Sequence, residues 1–287
     1  MEEEVPEPEA GPEAEAGQAA DKSGKGVVAA FGQSLKTLRV RAGMEREEFG
    51  KRLGYSASTI ASFEQGRRIP PPRAIDRSDE VLGAGGLLKV WKDQLEEAQY
   101  PAFFQGMAQL EKRAIELLAY DTLVVKGLLQ TEEYLRAVLS NRRPLLDTEV
   151  IEQRVTARLA RQAIFDRRPT PMLSFVMCES VLRRRIGGKG VLRGQLEHLL
   201  LIGQRRNVEI QIMPFDCEDN SGVDGPFTVV TRDDGKRFAY AEAQGTGTLE
   251  ADPKRVILAA ARYGTIRSQA LSPRESLAFI EKLLGDL

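Results

Sequence analysis

Val28, Phe31, Leu35 and Leu38 recur at helical spacing, with Gln33, Lys36, Thr37 and Arg39 on the opposite side. Gly43 ends that helix. A second, short helix over Arg46–Leu53 sets Phe49 and Leu53 on one face before Gly54 breaks it. Ser56 then caps a third helix over 57–65, and Gly66 suits the position just past its end. Pro70-Pro71-Pro72 stops the chain there and permits a new helix start. Further helices are predicted over 73–82 and 87–99.

Tyr100-Pro101 marks a break, beyond which helical and extended patterns alternate. Thr131 caps a helix over 132–139, and Thr148 opens a longer one over 148–166. Met172–Cys178 and Val208–Met213 read as strands on either side of a helix over 191–204. Runs over 227–231 and 237–242 flank Asp233-Asp234-Gly235, a hairpin signal. Two helices, over 253–269 and 273–284, complete the pattern, and no repeat at solenoid periods is present. The predicted organisation is an acidic tail over 1–26, an all-α helix-turn-helix domain over 27–99, and an α+β domain over 100–287 with a small mixed sheet.

The stretch from Arg46 to Gln65 meets the demands of a helix-turn-helix one by one. Gly50 supplies the small residue where the two helices touch, and Gly54 tolerates left-handed backbone at the turn. Phe49, Leu53, Tyr55, Ile60 and Phe63 lock the pair together, leaving Ala57, Ser58, Thr59, Ala61, Ser62 and Gln65 to line or border the outward face. An ordinary helical hairpin with a glycine turn is the plainer alternative.

Charge favours the nucleic-acid reading. The net charge of -1 hides a division: residues 1–21 carry eight acids and no bases, residues 22–77 twelve bases against five acids, and the remainder 29 of each. A basic module beside a neutral domain is the electrostatic footprint of a nucleic-acid binder. Acid, Pro, Ala and Gly without large apolar residues predict a disordered tail over 1–26, either solvating or lying on the basic module. Apolar residues at 42% and charged residues at 29% are ordinary for a soluble globular chain, with no run long enough to span a bilayer. The acidic start argues against a secretory signal, and two cysteines cannot form a disulfide scaffold. A cytoplasmic, nucleoid-associated protein is therefore expected.

The segment from Arg41 through Gly54 and Gln65 to Pro70 resembles the phage-repressor (Cro/cI, or XRE) type of DNA-binding domain. That resemblance implies a third helix entering the major groove by its N-terminal residues, with Arg46 near a phosphate. Glu45 and Arg46 depart from the usual pattern of Thr or Ser followed by Gln. Further along, Val125 to Tyr134, Glu179 to Gly188, Val208 to Phe215, Asp224 to Phe227 and Leu271 to Leu277 resemble a large actinobacterial, WhiJ-like regulator family. In that family this type of DNA-binding domain precedes a C-terminal domain of unknown function; Lys126 stands where the family usually has Pro. The likeness covers nearly all of residues 31–285 and implies bacterial transcriptional control, with small partner proteins encoded nearby.

The expected DNA contacts are Arg46 and Lys51 on phosphates, the outward face of the third helix on bases, and Arg67 and Arg68 on either. That face holds no Arg, Lys or Asn, the usual partners of guanine and adenine edges, so half-site discrimination should be modest and a homodimer on a palindromic operator is expected. Glu64 suits DNA badly and is expected to pair with a base such as Arg39.

No cofactor, metal or catalysis is expected. His198 is the only histidine, Cys178 and Cys217 are far apart in sequence, and Gly83-Ala84-Gly85-Gly86 follows no strand and reads as a turn. Glu179 and Glu242 could be paired carboxylates but fit structural pairing with Arg183–Arg185 better. A DNA-tethered enzyme with chemistry in residues 101–287 stays open as the alternative, as does a dock there for a small protein.

Overall fold

The computed structural model describes residues 12–100 and 102–287, and their side chains except at 12–25, 102 and 103. The chain forms two compact units, Met1–Gln105 and Gly106–Leu287.

Unit 1 is all-helical: α1 (Pro12–Arg41), α2 (Arg46–Leu53), α3 (Ala57–Glu64), α4 (Pro72–Val81), a 3-10 turn (Lys89–Trp91) and α5 (Lys92–Ala98). Val28, Phe31 and Leu35 of α1 meet Phe49, Ile60, Phe63, Ile75 and Leu95 in one buried cluster. This stripe orders the helices, since burying an apolar face offsets the entropy of fixing short segments that are not stable alone. Two close approaches need glycine: a Cβ on Gly32 would lie 2.6 Å from the Phe63 and Glu64 carbonyl oxygens, and one on Gly50 would lie 2.4 Å from that of Tyr55.

The tail expected to be disordered falls partly outside the described residues. Residues 1–11 lie outside the described residues, and α1 is already helical at Pro12. Pro suits a first helical turn, and the Glu, Ala, Gln and Lys that follow are good helix formers continuous with the apolar stripe. The helix expected over 87–99 is shorter and starts as a 3-10 turn, because the carboxylate of Asp79 accepts the Gly86 and Leu88 amides at 2.8 and 3.0 Å and holds that segment as a loop.

α6 (Ala102–Lys112) runs across the division between the units. Unit 2 then contains β1 (Ala114–Asp121), α7 (Glu132–Ser140), α8 (Thr148–Ala160), β2 (Met172–Cys178), α9 (Glu179–Arg183), α10 (Lys189–Ile202), β3 (Val208–Met213), β4 (Phe227–Arg232), β5 (Arg237–Ala243), β6 (Thr246–Glu250), α11 (Pro253–Gln269) and α12 (Pro273–Gly285). The six strands form one mixed sheet in the order β3-β2-β1-β4-β5-β6. β1, β2 and β3 run parallel, linked by helical crossovers, while β4, β5 and β6 form an antiparallel meander beside β1.

Val256, Tyr263 and Ile266 of α11 pack on one sheet face against Tyr120, Val176, Val229 and Ala239. The β3 edge is closed by the α11–α12 junction, where the Ile212 amide donates to Ser276 Oγ and its carbonyl accepts the Leu271 amide, each at 2.9 Å. These bonds satisfy backbone groups that an edge strand would otherwise leave open. Two strands went unread in the sequence: β1, rich in Leu, Ala and Glu, and the short β6. The helix expected over 148–166 passes into a 3-10 turn at Arg161.

Candidate nucleic-acid interface

The α2–α3 corner is built by local chemistry. Gly54 closes α2 at φ 80°, a left-handed conformation that costs a glycine little, and the Tyr55 amide returns to the Gly50 carbonyl at 2.9 Å. Ser56 starts α3: its Oγ accepts the Thr59 amide at 3.2 Å and lies 2.9 Å from both Ser58 Oγ and Thr59 Oγ1. At the other end Gly66, at φ 68°, lets the Arg67 amide reach the Ser62 carbonyl at 3.0 Å.

Along α3, Ser58 is exposed, Ala57, Thr59, Ala61 and Ser62 are half-buried, and Gln65 is exposed just after the last turn. Several hydroxyls are engaged locally: Ser62 Oγ donates to the Ser58 carbonyl at 3.1 Å, while those of Ser58 and Thr59 join the Ser56 cap. Base contacts through these residues would therefore compete with bonds already made. Arg67 is exposed with no partner among the described residues, and Arg68 is exposed with its guanidinium 5.9 Å from the centre of the Phe63 ring. Lys51 is loosely held, its Nζ lying 3.4 Å from Glu47 with both side chains 77% exposed.

A buried ion network lies behind this face. Glu64 Oε1 accepts from Arg39 Nε at 2.5 Å, and Oε2 accepts from Arg46 Nε at 2.7 Å. Arg39 also donates to the Met44 carbonyl at 2.5 Å, tying the end of α1 to the loop before α2. Glu64 thus pairs as expected, but Arg39 is buried and not turned outward. It stands four residues after Leu35, at the border of the apolar stripe, and a carboxylate across the helix crossing draws it in. Arg46 spends its Nε on Glu64 and keeps a side chain 38% exposed, which leaves its terminal amino groups for a phosphate. Glu45 makes no side-chain cap, in line with its poor chemistry for that position.

A helix-turn-helix domain family matches residues 30–89, a span containing all of α2 and α3. A family described as a domain of unknown function (DUF5753) matches residues 104–282, more than half of the chain. The chain belongs to the DUF5753 family. No curated protein and no solved structure matches it. The helix-turn-helix match points to DNA as a partner, and no helix among the described residues is long and apolar enough to cross a membrane.

In the DUF5753 region the sequence candidates for chemistry stand apart. Glu179 accepts Arg183 Nε at 2.6 Å and the Phe215 amide at 3.0 Å, so both of its oxygens are engaged. Burial, with Arg205 nearby, pushes the His198 pKa below its usual value, and its Nε2 is buried without a partner. Cys178 lies 2.9 Å from the Tyr120 hydroxyl, and burial raises its thiol pKa. Among the described residues no three His, Cys, Asp or Glu converge as metal ligands would. The sequence reading singled out neither Arg158 nor Asp121, both half-buried, the latter with its Oδ2 lacking a hydrogen-bond partner among the described residues.

Proposed function

We propose that this DUF5753 protein is a sequence-specific transcriptional regulator that binds operator DNA as a homodimer, with unit 2 supplying dimer contacts and sensing a ligand or a small partner protein. On this reading it is a regulator and not an enzyme, and works in the cytoplasm at the nucleoid. The observation that carries it is the α3 surface: a helix with small, uncharged outward residues, rigidly capped, followed at once by two exposed arginines. Small side chains admit the helix to the major groove, and the surrounding cations supply affinity through phosphates.

Titration of promoter fragments at two salt concentrations tests this. If Arg46, Lys51, Arg67 and Arg68 each neutralise one phosphate, affinity per protomer falls about a hundredfold between roughly 50 and 200 mM salt. Absence of binding at low salt overturns the reading. Because one half-site is read weakly, a palindromic operator should also be bound far more tightly than either half alone.

A further inference from the structure

The two edges of the unit 2 sheet differ. At the β3 edge the amide and carbonyl of Ile212 are taken by Ser276 and Leu271. At the other edge β6 follows β5 through a two-residue turn, Gln244-Gly245, with both φ angles positive at 50° and 79°. A turn of that type is closed by two residues that exchange a pair of hydrogen bonds, here Ala243 and Thr246. Bonded and non-bonded pairs alternate along an antiparallel ladder. Thr248 and Glu250 therefore also bond to β5, while the amides and carbonyls of Gly247 and Leu249 turn outward. Among the described residues no hydrogen bond reaches those four groups.

This edge also lacks the devices that usually protect one. Thr246-Gly247-Thr248-Leu249-Glu250 contains no Pro and no Lys, and it pairs with β5 in unbroken register. Thr246, Thr248 and Leu249 are exposed. On the α11 side Val256 packs on Ala239 of β5, but β6 is left bare. A groove of about 230 Å³ separates it from the helix, lined by Ala241, Thr248, Ala259 and Arg262 among others. Leu258 is exposed at the margin of this groove, three residues after Arg255 and four before Arg262, both of which line it.

The strand is complementary to a second copy of itself. Antiparallel pairing about a two-fold axis at Thr248 sets Gly247 against the partner's Leu249, and each carries the outward groups that a bonded pair needs. Four backbone hydrogen bonds result. Thr248 meets the partner's Thr248 in a non-bonded position, Thr246 faces the partner's Glu250, and Leu249 covers the partner's Gly247, so no like charges oppose one another. An axis normal to the sheet keeps both copies of α11 on one face, where the two grooves adjoin. We propose that β6 pairs in this way with β6 of a second copy, so that two six-stranded sheets become one continuous sheet. The proposal rests on the reading of the protein as a homodimer with contacts in unit 2, and it names the surface that makes them. Its tests use no DNA, so failure here leaves the DNA-binding reading standing.

Sedimentation equilibrium of the full-length protein should show a dimer. Thr248→Lys changes an exposed side chain, leaves the β5 ladder intact and sets two ammonium groups face to face in the dimer. It should raise the dimer dissociation constant about tenfold or more, with the circular dichroism of the parent retained. Facing non-bonded Cα atoms lie about 4.5 Å apart, within disulfide reach, so Thr248→Cys should link two chains on mild oxidation. Thr246→Cys should not, because its two copies would stand four residues out of step, roughly 13 Å apart. Both are compared with the parent, which carries Cys178 and Cys217 as free thiols. A monomeric parent overturns this proposal together with the homodimer reading. A dimer that Thr248→Lys leaves undisturbed, or linkage at position 246 as ready as at 248, overturns the strand pairing and leaves the homodimer reading in place. Should Thr248→Lys not fold, the cross-linking pattern still decides it.

Discussion

Glu64→Ala removes the common acceptor of two arginines. The Glu64 side chain is wholly buried, that of Arg39 is 7% exposed and that of Arg46 38%. After truncation Arg39 keeps its bond to the Met44 carbonyl but has no counter-charge in the core of unit 1. Breaking a buried pair by deleting one partner costs about 3–5 kcal/mol. The more exposed Arg46 adds no more than about 1 kcal/mol. A loss near 4 kcal/mol is thus expected, a large share of the roughly 5–15 kcal/mol that stabilises a whole domain. Glu64→Gln keeps the shape and one acceptor and should lose less, about 2 kcal/mol. Trp91, the only tryptophan, packs edge-on to Phe31 with ring centroids 6.5 Å apart, so its fluorescence during urea denaturation follows unit 1. The decisive comparison is Arg39→Met combined with Glu64→Ala. With neither charge left buried, the double variant should recover much of the stability lost in Glu64→Ala. A Glu64→Ala protein within about 1 kcal/mol of the parent, or a double variant no better than the single, would refute the reasoning.

Arg67→Ala should weaken binding to all DNA sequences alike and reduce the salt slope by about one, as measured by fluorescence anisotropy; a change confined to one base position would contradict its assignment to phosphate. Arg68→Ala should cost ~1–3 kcal/mol and relax discrimination if Arg68 reads a base, which competition between single-base operator variants measures. Gly50→Ala forces a Cβ to within 2.4 Å of the Tyr55 carbonyl and should lower the Trp91-monitored stability by about 1–3 kcal/mol, whereas an unchanged denaturation midpoint would rule out the close approach. Burial depresses the folded-state pKa of His198, so as pH falls below about 6.5 the unfolded chain takes up the proton first. Stability should therefore be full above that pH and decline below it until the folded-state pKa is reached. Denaturation of His198→Leu should show a smaller decline over the same window.

The helix-turn-helix is legible because its information is local. Phe49, Leu53, Ile60 and Phe63 record a helical period within one or two turns, and Gly54 and Ser56 mark the corner through their own backbone conformations and bonds. β2 and β3 are legible for a similar reason: β2 is a nearly continuous apolar run, and β3 alternates Val208, Ile210 and Ile212 with Glu209 and Gln211. β1 is not, since Ala, Leu and Glu favour a helix in isolation and only pairing with β2 and β4 on either side makes this segment a strand. The outward residues of α3 follow from periodicity, but the engagement of Ser58, Thr59 and Ser62 in local bonds depends on rotamers that spacing does not encode. Arg39 shows the limit most clearly. Its position admits either solvent or core, and the choice fell to Glu64, 25 residues away, which meets it only because Gly32 lets α1 cross close to α3. Helical period and turn chemistry act between neighbours and are written along the chain. Charge pairing and strand identity act between segments brought together by packing, so only the tertiary structure decides them.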